Sequence, residues 1–158
     1  MSISALMMSL VVLALAQVAD NAPANFTVRA KAIIQLSPTA QPKPVQLAIQ
    51  DAKQLAELLG AESEAAAIAQ AMKFLKVESL DFEMQTLLVV SVGPVHSGVV
   101  NIDIQELTQA KGGELNIAWY VTHLLGITDD PLFHYARLAL IDKFTDKVHF
   151  ETPEQQVR

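Results

Sequence analysis

The chain predicts an α+β fold, mainly antiparallel β with six or seven strands in a sandwich- or barrel-like sheet, and two early α-helices packed on it. Three observations carry this. Apolar-polar alternation opens the domain at residues 26–36. Two amphipathic helical patterns follow together between residues 51 and 76. Consecutive strand patterns with short turns then fill the second half, which implies an antiparallel sheet.

In the first strand pattern, Phe26, Val28, Ala30, Ala32, Ile34 and Leu36 alternate with Thr27, Arg29, Lys31 and Gln35, the signature of a half-buried strand. Residues 37–44 (SPTAQPKP) read as an extended loop, because each proline disfavours helix in its predecessor. Val45, Leu47 and Ile49 give a short second alternation. Asp51 is placed to cap a helix that carries Leu55, Leu58 and Leu59 on one side and stops at Gly60. A second helix, about residues 62–76, sets Ala65, Ile68, Ala69, Met72 and Leu75 on one face. Both helices are half-polar and are expected to pack on the core.

From residue 86 the character changes. Residues 86–92 (TLLVVSV) form a continuous β-branched and apolar run, the pattern of a strand buried on both faces. Val100, Ile102 and Ile104, then Leu115, Ile117, Trp119 and Val121, alternate on either side of Lys111-Gly112-Gly113, which predicts a hairpin. Trp119, in phase with Ile117 and Val121, belongs to the core. Alternation returns at residues 135–141, and Val148 with Phe150 makes a last short strand.

Ahead of this domain, residues 1–19 carry no charged side chain, and residues 5–16 (ALMMSLVVLALA) are almost wholly apolar. Ala14-Leu15-Ala16 fits a signal-peptidase site, so residues 1–16 read as a signal peptide cleaved between Ala16 and Gln17. An uncleaved anchor and a buried N-terminal helix are the competing readings. The apolar core is shorter than the ~20 residues of a spanning helix, and no Lys or Arg precedes it. The resulting organisation is a signal peptide (1–16), a short linker (17–25), one α+β domain (26–152) and a tail (153–158). Export without any cysteine suits a bacterial periplasm or a secreted bacterial protein.

The formal net charge of -6, with lysines scattered singly, argues against nucleic acid or an anionic membrane surface as partner. A membrane enters only if the leader stays uncleaved. Gly93 to Gly98 has the GxxxxG spacing of a phosphate-binding loop, but Val99-Val100 stands where Lys-Ser/Thr is required, so no nucleotide and no cofactor is expected. Ser97 beside His96 suggests a nucleophile and base, yet neighbours on an extended chain point to opposite sides, and Val95 and Val99 occupy the glycine positions of a nucleophile elbow. No catalytic residues are therefore assigned. His96, His123, His134 and His149 share no ligand spacing, and three of them fall on polar-facing or end positions of strands, where a solvated imidazole is the default, so no metal is assigned either. Asp129-Asp130-Pro131 reads as a loop-forming turn rather than a calcium pair, and Asn25-Phe26-Thr27 matches the glycosylation pattern.

The second half resembles a family. Leu80-Asp81-Phe82, the strand from Thr86 to Gly93, the small-residue turn at Ser97-Gly98, the strand from Val100 to Ile104 and the closing strand from Lys147 to Phe150 are similar to the C-terminal domain of PrcB-type proteins. Those are exported bacterial accessory subunits that stabilise a surface protease complex. Where the family usually reads Thr-Gly-Gly-Tyr, this chain reads His96-Ser97-Gly98-Val99-Val100, with one glycine and the aromatic missing. The resemblance spans residues 80–151 and implies a β-rich, non-enzymatic module that binds a protein partner in the envelope. Gly93, Pro94, His96, Ser97 and Gly98 form the expected contact loop, because a loop held between two well-formed strands is a presented surface. The alternative function is a small envelope hydrolase or metal-dependent enzyme using the histidines with Asp129 or Asp130.

Overall fold

The computed structural model describes residues 26–95, 99–123 and 132–157, with the backbone alone at 99, 100 and 157. The signal peptide and linker, the Ala16–Gln17 site, Asn25, His96, Ser97, Gly98 and Asp129-Asp130-Pro131 lie outside the described residues.

The first sheet holds β1 (Ala30–Leu36), β2 (Gln46–Ile49), β3 (Gln85–Ser91) and β6 (His134–Asp142), in the order β1-β6-β3-β2 and antiparallel throughout. The second is the β4 (Val99–Gln109) and β5 (Leu115–His123) hairpin, extended by β7 (Val148–Phe150) and β8 (Glu154–Val157). Helices α1 (Ala52–Leu59) and α2 (Glu64–Leu75) cover the outer face of the first sheet.

The first sheet is thus the middle of three layers, and its side chains divide by parity. Leu87 and Val89 of β3, with Ala136, Leu138 and Leu140 of β6, join Ile34, Leu36 and the helices in one core. Leu88 and Val90, with Ala139 and Ile141, join Ile102, Ile117, Trp119 and Val121 in the other. A strand buried on both sides has no polar face, which is why residues 86–92 read as a continuous apolar run. Trp119 is buried at 2% exposure, as its phase required.

Both helices start at side-chain caps. Asp51 accepts the Gln54 N–H at 2.8 Å and Ser63 accepts the Ala66 N–H at 3.1 Å. Gly60 closes α1 in the left-handed conformation. In α2 the expected face is rotated. Ala67, Ala71 and Leu75 are the buried set, Ile68 and Met72 are half-buried, and Ala65 and Ala69 are exposed. Alanines on nearly every side make the apolar stripe too broad to select one face, and the small pair Ala67 and Ala71 offers the closest approach to the sheet.

One further correction concerns the β part: the described residues form eight strands rather than six or seven, because residues 153–158, read as a tail, include β8. The sheets are mainly antiparallel, as expected, with β7 and β8 running parallel to β5. The hairpin turns at Gly113, φ 87°, as expected. A register shift between Ile104 and Glu106 leaves Gln105 as a bulge, which lets Leu107 share the inner face with Ile102 and Ile104 despite its odd spacing. None of the helices among the described residues is long and apolar enough to cross a membrane.

Candidate functional site

The described part of the expected contact loop, Gly93 to Val95, lies where β3 leaves the first sheet. Gly93 adopts φ 88°, and a Cβ there would sit 3.0 Å from the Pro44 nitrogen. Glycine is required twice over, by the backbone conformation and by the proline loop folded against it. Val95 then pairs with Phe133 through two backbone hydrogen bonds, 2.7 and 2.8 Å, which carries the loop onto the start of β6.

A buried polar cluster fastens this corner from inside. The Ser91 hydroxyl oxygen accepts the N–H of Val45 at 3.0 Å and that of Gly93 at 3.3 Å. It also lies 2.6 Å from His134 Nε2, while His134 Nδ1 lies 2.7 Å from the carbonyl oxygen of Gln41. Because a carbonyl only accepts, Nδ1 carries the ring proton and Ser91 donates its own to Nε2. Four segments of chain meet through two side chains: the proline loop, the end of β3, the turn after it and the start of β6. Burial lowers the His134 pKa below the ordinary imidazole value, against a smaller upward pull from the Gln41 carbonyl.

His134 departs from the solvated default of strand-end histidines: both it and Ser91 are fully buried. The signal was present in the sequence. His134 is in phase with Ala136, Leu138 and Leu140, the inward set of β6. The serine that meets a histidine is Ser91, not the Ser97 that stands next to one, and its partner is 43 residues away.

The chain of contacts from serine to imidazole to oxygen has the connectivity of a hydrolytic triad, but the chemistry differs. A nucleophilic hydroxyl needs a free lone pair and space beside it for a substrate carbonyl. Ser91 Oγ is closed to solvent and accepts two backbone donors already. It can tie backbone together; it cannot reach a substrate in this arrangement.

Of the other described histidines, His123 Nε2 lies 2.7 Å from Gln155 Oε1 between β5 and β8, and His149 is exposed on β7. Among the described residues, no group of three or more His, Cys, Asp or Glu is placed to hold a metal ion. A second polar cluster joins the sheets, with Arg137 of β6 and Lys31 of β1 reaching Asp103 of β4 at 3.4 and 3.0 Å. An open apolar groove of about 630 Å³ runs along α2, lined by Ile68, Met72 and Val77 with Lys73 and Lys76 beside them.

No protein-family model, curated protein or solved structure matches this chain. Its own geometry therefore carries the functional argument.

On the other side of the sheet from this buried cluster, half-buried aromatic rings lie beside exposed aliphatic side chains. Phe133 and Tyr135 stack with centroids 5.6 Å apart on the sheet face opposite His134. On that face Gln35 pairs with Tyr135 and Ile33 with Arg137, so Ile33 stands diagonal to Tyr135. Ile33 is 43% exposed and Leu132, just before the stack, 39%.

Proposed function

We propose that this chain is an exported, non-enzymatic protein-interaction module whose contact surface is the corner from Gly93 to Gly98 together with Leu132, Phe133 and Tyr135. One observation carries the reading: a corner pinned from inside by Ser91 and His134 carries the exposed Leu132 beside the half-buried, stacked Phe133 and Tyr135. A surface ordered before binding loses less conformational freedom on association, and aromatic residues are enriched in protein interfaces. The resemblance of residues 80–151 to the PrcB C-terminal domain supports a narrower version, an accessory that stabilises a protease complex in a bacterial envelope. The apolar leader with Ala14-Leu15-Ala16 supports export.

The test is capture from the envelope fraction of a bacterium expressing the full chain, beside the Leu132→Asp and Pro94→Asp variants. The expected result is a co-purifying protein retained by the parent and lost from both variants, with a mature N-terminus at Gln17 by mass. Equal capture by all three would overturn the surface assignment. An intact leader in the envelope fraction would overturn cleavage.

A further inference from the structure

The Ser91 hydroxyl is used to capacity. It has one proton, given to His134 Nε2 at 2.6 Å, and two lone pairs, which face the Val45 and Gly93 N–H groups at 3.0 and 3.3 Å. The imidazole is equally committed, since Nδ1 donates to the Gln41 carbonyl at 2.7 Å. Only a neutral ring satisfies this set. A proton on Nε2 would point at an oxygen with no lone pair left, and the hydroxyl proton would need a new acceptor. One of the two backbone N–H groups would have to leave. Unpaired donors in a buried site are costly, so the segments carrying them move into solvent instead.

We propose that this corner is an acid-released latch: protonation of His134 frees the proline loop and the Gly93 turn, which the neutral ring holds to the sheet. The release belongs to the corner itself and does not depend on the partner reading above.

The surroundings leave the ring to control it. In β1 its register partner is Leu36, and β3 carries no ionisable side chain from Thr86 to Ser91. The proline loop contributes Lys43, which is exposed. On the helix side, Lys53, Glu57, Glu64, Lys73 and Lys76 are all exposed. Tyr135 and Arg137 of β6 project to the opposite face of the sheet from His134. His96 lies outside the described residues.

The pH direction follows from burial. Folded His134 holds its proton less tightly than the unfolded chain does, so acid favours the unfolded form. The latch contributes fully above the ordinary imidazole value of about 6.5. Its contribution falls as pH drops through that value and is lost once the folded ring is itself protonated.

The experiment is NMR on the full, isotope-labelled chain, titrated downward from about pH 7.5. It reads the His134 ring nitrogens together with hydrogen exchange at the Val45 and Gly93 amides, corrected for the intrinsic pH dependence of exchange. At neutral pH the ring should show protonated Nδ1 and bare Nε2. As it titrates, protection at both amides should fall about tenfold or more with the same midpoint, while that of Leu88 and Ile117 persists. Ser91→Ala should leave Val45 and Gly93 weakly protected at every pH. If that variant does not fold, coincidence of the two midpoints in the parent protein decides. Amides that stay protected while His134 titrates would overturn the latch, as would global unfolding before any local release.

Discussion

Arg137 in the middle of β6 donates from Nε to the backbone carbonyl of Ile102 at 2.6 Å, bridging the two sheets. Its Nη2 reaches Asn101 Oδ1 at 3.1 Å, and Lys31 donates to the next alternate carbonyl, Ile104, at 3.1 Å. Among the described strands β4 pairs with β5 alone, so these carbonyls lie along its open edge. Two cations from the neighbouring layer occupy what would otherwise be a template for a foreign strand.

Arg137→Ala is therefore expected to destabilise the domain by about 2–3 kcal/mol, the range for charge-assisted hydrogen bonds whose partners are left behind. The Arg137 side chain is only 13% exposed, so water replaces it poorly. Arg137→Lys should restore less than half, because an ammonium cannot serve Asn101 and Ile102 at once in the guanidinium's fixed geometry. Lys31→Met, at a more open site, should cost within about 1 kcal/mol. Urea denaturation of the three variants checks the order; an equal cost for Lys31→Met and Arg137→Ala would contradict it.

Gly93→Ala and Gly60→Ala separate backbone strain from crowding. Both positions have positive φ, 88° and 63°. Around Gly60 nothing lies within 4 Å of an added Cβ, whereas at Gly93 it meets Pro44 backbone at 3.0 Å. The expected costs are about 1 kcal/mol at Gly60 and about 2–3 kcal/mol at Gly93, read from denaturation midpoints. Gly93→Ala should also weaken protection of the Val45 amide, since the proline loop must retreat; an unaltered Val45 amide would count against close packing there.

The strands most visible in the sequence are those whose burial is simple. β1 alternates because one face meets the helices, and β3 is uniformly apolar because both of its faces are covered. β8 was hidden because Glu154, Gln155 and Gln156 carry no apolar pattern: it is a polar edge strand recruited by backbone pairing to β5. Its parallel direction is a tertiary fact with no local signature. The latch was hidden for a related reason. Ser91 and His134 each look like a strand-end polar residue, and only β3–β6 pairing in register, Ser91 opposite Ala136, brings them together. The phase of His134 with an apolar set marked it as inward, but nothing local named its partner.

The helix caps give a measurable contrast. Asp51 accepts the Gln54 N–H while the Gln54 side chain accepts the N–H of Gln50, the residue before the cap, at 3.1 Å, a near relative of the capping box. At α2, Ser63 accepts from Ala66, whose side chain can return nothing. Asp51→Ala and Ser63→Ala should each cost about 1 kcal/mol, with Gln54→Ala adding a further few tenths at α1 alone. Thermal unfolding of the single variants and of the Asp51→Ala/Gln54→Ala pair checks this. Independent effects at Asp51 and Gln54 would show that the two caps do not cooperate.

Trp119 ties the last strands to the core. Its indole N–H donates to the Glu151 carbonyl at 2.8 Å, between β7 and β8, and its ring is buried among the residues of the second core. Trp119→Phe keeps an aromatic ring but removes the donor and some volume, so a loss of about 2–3 kcal/mol is expected. The effect should not be uniform. β7 remains paired to β5 through residues 115–117, but β8 joins β5 only beyond the missing bond, at residues 120–123. Hydrogen exchange in Trp119→Phe should therefore rise first across residues 154–157 while residues 148–150 stay protected. Equal protection in the two segments would mean that the indole contributes packing alone and does not hold the chain between them.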